Sequence, residues 1–507
     1  MKPRLAAIAS GLMLGAPFLF PVLAPLAWVA FLPLLAALEI RLESGARPRA
    51  LFPLGYLCGL AAYLTGAYWL VLLSDVAITV PWLKYPGWLL CAGYLALYPA
   101  LAVWFAGWVS RRSGVSLAVT FPCAWLTLEE LRGAGELGFP WFQPGYTQHV
   151  FLPVVQLASL GSVTLVTLWL LVLNTLAWRA WRPRSADRSR LRPALGAALL
   201  LAFPFAWGSA SLRAAPPTPA DAPTLALVQP DIAGEIKWDG KHQPQILASV
   251  LGLSERAAAA GPALIVWPET ATGSYLFKQL DQTLAVSEFA SRHHVPVFAG
   301  FPDYRVGSRG EILYENAAGM FMPDGTRTPT FAKIHLVPFG ERMPFESFLP
   351  FMTRLQLGQA EWTPGERWML FGAAGRRFGT LICFESIYPD HARRYARMGA
   401  TWLVNITNDE WFGDSAALQQ HAVMAIFRAV ENHLPLARCA NTGVTMMVDA
   451  FGRVTARTRT WTPDVVMARL GPAGLPTAYT RFGDWPGALA FAVLLLLAVR
   501  GARPAAR

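Results

Sequence analysis

The stretch GTLICFESIYPD, residues 379–390, ends an apolar run abruptly at Cys383 and continues through Phe384, Glu385 and Ser386. A buried strand that stops at a thiol and then turns through polar residues presents a nucleophile at a sheet edge, where open α/β folds form ligand crevices. One cysteine proves little, because a free thiol usually packs as a small hydrophobe. Two further stretches strengthen the reading. ALIVWPET (263–270) delivers Glu269 where its strand pattern breaks, and FAKIHLVPFGE (331–341) carries Lys333 and Glu341 in a polar turn region. An acid, an amine and a thiol therefore each end a strand-like run, in that chain order.

These residue types suit thiol acyl transfer. An unassisted thiol has a pKa of about 8.5 and is only a few per cent thiolate at neutral pH. Glu269 is the candidate base, with burial raising its pKa toward the useful range. Lys333, as a cation, favours thiolate and stabilises the oxyanion of a tetrahedral intermediate, while Glu341 and Glu385 keep it protonated and oriented. Each residue also has a purely structural explanation: Glu269 as a turn acid, Lys333 as a solvated strand lysine, Glu341 as a helix N-terminal charge. Taken together, those explanations leave unsaid why all three types end apolar runs.

Composition places part of the chain in lipid. Of 507 residues, 54% are hydrophobic and only 15% charged, too apolar for an ordinary soluble enzyme. The formal net charge of +11 does not point to nucleic acid, because the basic residues lie between apolar runs rather than along an aromatic-studded groove. Cysteines at 58, 91, 123, 383 and 439 form no CxxC and no metal-site spacing. Cys383 and Cys439 are expected to stay unpaired, since a disulfide would remove the nucleophile.

Apolar runs near 5–20, 23–40, 52–73, 88–109, 115–130, 154–177, 194–212 and 485–499 suggest about eight spans, with those at 115 and 485 short for a bilayer. No small-residue cleavage site follows the first, so it is expected to be retained. Lys and Arg gather in alternate connections: Lys2 and Arg4; Arg41, Arg47 and Arg49; Arg111 and Arg112; Arg179 to Arg192; Arg500, Arg503 and Arg507. Positive residues favour the cytoplasmic side, so both ends are expected there and the domain at 213–480 outside. The expected organisation is residues 1–212 with seven spans, the outer domain 213–480 opened by the Pro-rich 216–223, and a last helix with its tail at 481–507. Strand-like runs alternating with helical ones predict a mixed α/β sheet in that domain, with hairpins at MPDG and DAFG.

The order Glu, Lys, Cys resembles the carbon-nitrogen hydrolase (nitrilase) superfamily. Over nearly the whole length, GFPWFQPGYTQ, VQPDIAGEIKWD, VWPET, KIHLVPFGE, ICFES, NITNDEWFGDS, QQH and the segment from Arg428 to Val444 resemble the bacterial apolipoprotein N-acyltransferases. That resemblance implies a polytopic α-helical membrane domain joined to a periplasmic nitrilase-like αββα sandwich, in the bacterial inner membrane. It implies Glu269 as general base, Lys333 as oxyanion cation, Cys383 as nucleophile, Glu341 and Glu385 as supporting acids, and Trp238, Asn408 and Trp411 as substrate-lining positions. It implies no metal and no cofactor.

Two departures stand out: Phe384 where members often have Tyr, and Ala416-Ala417 where Gly-Pro is common. The family reaction moves an acyl chain from a phospholipid, typically phosphatidylethanolamine, through a Cys383 thioester to the α-amine of a diacylated apolipoprotein. The site is accordingly expected to face the bilayer, with 343–362, including Phe345, Phe348 and Phe351, as an arm that admits acyl chains. A membrane-tethered amidase, resolving the thioester with water, is the enzyme alternative. A transporter would need ionisable residues within the spans, and these are nearly free of charge.

Overall fold

The structure, a computed structural model, describes residues 2–75, 80–181, 187–346, 348 and 361–500. Most of the expected arm at 343–362, with Phe351, lies outside the described residues, as do Arg182, Arg184, Arg503 and Arg507. The chain forms two compact units, one of residues 1–71, 82–214 and 482–507, the other of 72–81 and 215–481.

In the second unit the apolar runs become strands: β1 (Thr224–Gln229), β2 (Leu264–Val266), β3 (Val297–Val306), β4 (Ile312–Phe321), β5 (Phe331–Ala332), β6 (Phe371–Ala373), β7 (Arg376–Ile382), β8 (Trp402–Thr407), β9 (Leu436–Ala440), β10 (Met446–Val448), β11 (Val454–Arg457) and β12 (Asp464–Arg469). They form two six-stranded sheets, ordered β12-β1-β2-β3-β4-β5 and β11-β10-β9-β8-β7-β6. In each, three central strands run parallel, β1-β2-β3 and β7-β8-β9, and the outer pairings are antiparallel. Central parallel strands are covered on both faces, which is why they read as unbroken apolar runs rather than alternating ones.

The sheets stack face to face. Phe298 of β3 packs edge-on against Phe378 of β7 at 5.2 Å, and the Cys439 thiol of β9 donates to the Val228 and Val266 carbonyls of the other sheet at 3.2 and 3.3 Å. Cys383 and Cys439 are both unpaired. Helices Gln243–Ala258 and Leu280–His293 press Val250, Leu253, Val286 and Phe289 onto the first sheet. Pro389–Arg397 and Ala417–Asn432 pack on the second. This is the αββα layering expected. The DAFG hairpin forms between β10 and β11, and the strand-like run ending at Lys333 shrinks to the two residues of β5, but β6, β9 and β12 have no counterpart in the runs read from sequence. β6 is too short to show a period, and the residue types of β12, DVVMAR, do not alternate although its burial largely does.

One glycine ties the core to Glu269. A β-carbon on Gly300 of β3 would lie 2.7 Å from the Pro268 carbonyl oxygen, 2.8 Å from the Glu269 Cα and 2.7 Å from the Ile406 Cδ1. Gly300→Ala is therefore expected to destabilise the protein by about 1–3 kcal/mol through overpacking and to slow turnover by displacing Glu269. Thermal unfolding and activity together check this; unchanged melting and turnover would refute it.

In the first unit, four stretches are helical, long and apolar enough to cross a bilayer: 21–43, 81–113, 158–181 and 190–214. The runs expected near 5–20, 52–73, 115–130 and 485–499 form α-helices of 17, 15, 16 and 16 residues, below the 20 or so that a straight span needs. A count of eight is thus not reached by helix length. Helix Ala158–Trp181 breaks at Gly161 and Ser162, where Ser162 has φ +57°. Ser162 and Thr164 donate from there to Asp484 at 2.8 and 3.1 Å. Arg132 is buried: it pairs with Glu129 at 3.4 Å and donates to the Phe139 carbonyl at 2.7 Å.

Candidate active site

Each expected residue of the triad ends a strand-like segment of the second unit. After β2, Trp267 and Pro268 carry the chain out of the ladder, since proline has no N–H to extend it, and Glu269 follows, 4% exposed. Its Oε2 accepts the Asn408 backbone N–H at 2.7 Å, and its Oε1 accepts Asn316 Nδ2 at 2.7 Å and Lys333 Nζ at 3.5 Å. Lys333 follows β5 and is fully buried. Its backbone is pinned on both sides: its N–H donates to the Asn316 carbonyl and its own carbonyl accepts from Gly365, both at 2.8 Å. Nζ donates to Glu341 Oε1 at 2.8 Å.

Glu341 serves as an anchor for this ammonium. Its Oε1 also accepts Asn316 Nδ2 at 3.1 Å, and its Oε2 accepts the Val337 N–H at 2.8 Å. Glu385 works through the backbone: Oε1 accepts the N–H groups of Ile334 and His335 at 2.7 and 3.1 Å, and Oε2 accepts that of Ile382 at 2.8 Å. It thereby clamps the residues after Lys333 to the residue before Cys383. Burial pushes the Glu385 carboxyl up to about 7, opposed by the Ile382 N–H, the Lys333 charge and the other two N–H groups.

Cys383 starts a short 3-10 turn directly after β7 and is 6% exposed. Burial and the nearby Glu269 charge push its thiol above the ordinary range, while Lys333 pulls the other way. Lys333 does favour thiolate, as expected, but burial and Glu269 outweigh it, so the resting group is a thiol. Burial would strip the Lys333 ammonium of its proton, yet Glu341 and Glu269 more than offset this and hold its pKa above the usual lysine range. Glu269 is raised by burial, against the attraction of Lys333; Glu341 raises it further, and the Asn316 and Asn408 hydrogen bonds oppose. The arrangement is a neutral thiol beside a carboxylate of raised basicity and a fixed cation, which suits general-base rather than preformed-thiolate chemistry.

The three positions expected to line substrate differ in setting. Trp238, at the end of the short helix Gly234–Lys237, is 38% exposed. Trp411 is partly exposed, and its carbonyl accepts the Ser74 N–H at 3.1 Å. Asn408 is 1% exposed; besides its N–H on Glu269, its Oδ1 accepts Asn441 Nδ2 at 3.1 Å. Phe384 is buried among His335 and Tyr388 at ring distances of 6.4 and 5.6 Å. Ala417 begins the helix Ala417–Asn432. Phe345 and Phe348 are exposed, Phe348 at 79%.

Sequence reasoning missed Asn316, whose amide joins Glu269 to Glu341. The available signal was an asparagine at the head of the apolar run 317–321 of β4, where an unpaired buried amide would be costly. It also missed Lys237, fully buried with no hydrogen-bond partner among the described residues and pushed down to about 8 by burial, against Glu410 and Glu269.

Comparison with known proteins bears on what this arrangement belongs to. Residues 224–476 match the carbon-nitrogen hydrolase family, and residues 10–176 match the apolipoprotein N-acyltransferase N-terminal domain. An apolipoprotein N-acyltransferase of Geobacter metallireducens is 36% identical over 508 aligned positions, covering 98% of this chain and 96% of that one. The chain belongs to the apolipoprotein N-acyltransferase family. A second member, from Methylococcus capsulatus, is 34% identical over 96% of this chain and 94% of its own. Among solved structures, an amidase from Nesterenkonia sp. is 18% identical with a TM-score of 0.39, over 52% of this chain and 95% of that one. Membership makes the chain an acyltransferase, with its carbon-nitrogen hydrolase domain as the catalytic part.

Proposed function

We propose that the chain N-acylates the diacylglyceryl-cysteine at an apolipoprotein N-terminus, taking the acyl group from a phospholipid, with phosphatidylethanolamine as the favoured donor. The observation that supports this most is Lys333 Nζ held between Glu341 and Glu269 at 2.8 and 3.5 Å, within electrostatic reach of Cys383. In the proposed first half-reaction, Glu269 takes the Sγ proton as sulfur attacks the ester carbonyl carbon. Charge on the carbonyl oxygen develops in the field of Lys333, the C–O bond breaks, and Glu269 returns the proton to the departing lysophospholipid oxygen. In the second, the α-amine attacks the thioester, Glu269 accepts its proton, and as the C–S bond breaks Glu269 returns that proton to the departing sulfur, restoring the thiol. Glu341 and Glu385 support Lys333, and Trp238, Asn408 and Trp411 line the substrate.

The same reading takes the protein as a multi-pass inner-membrane enzyme of eight spans, seven within 1–212 and one within 481–507, with the catalytic domain 213–480 periplasmic. The alternation of basic connections supports it. A reporter fused after Arg213 is expected to be active only in the periplasm; a cytoplasmic signal would overturn this topology.

Product analysis tests the activity. With phosphatidylethanolamine carrying a labelled acyl chain and a lipopeptide bearing a free diacylglyceryl-cysteine amine, the label is expected on that amine, with lysophospholipid released in equal amount. Recovery of the label as free fatty acid, whatever the amine concentration, would instead identify a hydrolase.

A further inference from the structure

Cys383 has φ +50°, in the left-handed region that a β-carbon disfavours. A residue held there needs surroundings that over-determine it. Its carbonyl oxygen lies 2.9 Å from Ser386 Oγ and 3.2 Å from His421 Nε2, and those two atoms lie 2.9 Å from each other. On the far side of the imidazole, Nδ1 is 2.9 Å from Asp409 Oδ1. Asp409 is itself fixed, with Oδ1 accepting the Thr407 hydroxyl at 2.8 Å and Oδ2 accepting Arg438 at 2.6 Å. Arg438 also donates to Asn405. Asp409, His421, Ser386, Arg438 and Asn405 are all fully buried. Burial and Arg438 hold His421 below its usual range, so the ring is neutral. With the Nδ1 proton given to Asp409, Nε2 can only accept, so the Ser386 hydroxyl shares its one proton between the Cys383 carbonyl and Nε2, at 2.9 Å from each.

The residues on either side of Asp409 reach the rest of the site. The Asn408 N–H holds Glu269 at 2.7 Å, and Glu410 accepts the N–H of Gly234, the first residue of the helix that leads to Trp238. Three consecutive residues after β8 thus hold the base, the nucleophile's turn and the Trp238 segment. From this geometry we infer that Asp409 and His421 are positioning residues: through Ser386 they lock the Cys383 carbonyl, and so aim Sγ at the ester carbon while Asn408 keeps Glu269 in register with it. The inference rests on Cys383 being the nucleophile.

Single-turnover acylation of the full chain in detergent micelles, with phospholipid labelled in its acyl chain, separates positioning from mere structure. Positioning sets the rate constant for thioester formation, whereas a structural role sets how many molecules are competent, and so the amplitude. His421→Gln is expected to lower the rate constant about 100-fold, the cost of a displacement of about 1 Å, and Ser386→Ala, which removes a single oxygen and keeps the Asp409–Arg438 ion pair, about tenfold. Amplitude and the steady-state KM for phospholipid are expected to stay near wild type in Ser386→Ala. Wild-type rate constants in both variants, or a loss confined to amplitude, would overturn the inference. A wild-type chain that acquires no thioester on Cys383 would overturn the nucleophile assignment beneath it.

Discussion

Cys383→Ser is expected to leave no hydroxylamine-labile label after mixing with phospholipid, and to lower acyl transfer on the order of 10⁴-fold or more, as loss of a covalent nucleophile does. Oxygen replaces sulfur at the same strained turn, so the fold is retained, but a hydroxyl gives up its proton to Glu269 far less readily than a thiol does. The contrast with Glu269→Gln is informative. That variant keeps the sulfur and the Asn408 contact but loses the proton acceptor, and its label is expected to appear 10² to 10⁴ times more slowly, the usual range for a general base. A Cys383→Ser protein that still acquires a thioester label would place the nucleophile elsewhere.

Lys333→Ala is expected to impair both half-reactions and the fold together. The ammonium is fully buried and lies 2.8 Å from Glu341 and 3.5 Å from Glu269. Removing it leaves the buried Glu269 carboxyl and the partly buried Glu341 carboxyl facing each other without a cation, and breaking a buried pair in this way costs about 3–5 kcal/mol. It also removes the charge that stabilises the oxyanion, so turnover is expected to fall by about 10³-fold or more. The pH dependence has a definite sign. Lys333 pulls the Glu269 pKa down, so without it Glu269 keeps its proton to higher pH, and the acid limb of the residual activity moves upward in pH. Thermal unfolding, the rate of each half-reaction and the pH–rate profile measure these three effects separately. An unmoved acid limb would show that Glu269 does not titrate under the control of Lys333.

Much of the site was legible because its residues interrupt local patterns. Glu269 breaks an apolar run at Trp-Pro, Cys383 ends another, and Lys333 stands where a short strand gives way to a turn; burial and chain direction are written locally, in periods of a few residues. The number of spans was less legible, since hydropathy marks apolar length but not where an α-helix ends. The run at 52–73 leaves the α-helix at Gly66 and continues as a tighter 3-10 turn. The role of Asn408 shows a different limit. Resemblance places it among substrate-lining residues; that its backbone N–H also holds Glu269 is a matter of three-dimensional register, which the resemblance does not carry.

By itself the sequence determined the chemical types, their order and their places at strand ends, together with a membrane-bound first part and an α/β second part. Only the tertiary structure decided which groups meet. Lys333 and Glu269 are 64 residues apart and Asn408 and Glu269 are 139 apart, and their contacts follow from strand order and from the stacking of the two sheets. The same applies to Asn316 between two carboxylates and to Asp409 and His421 beneath the nucleophile's turn. Local propensity is set by neighbours within a turn or a pleat, whereas such contacts depend on how distant segments pack, which no window of sequence contains.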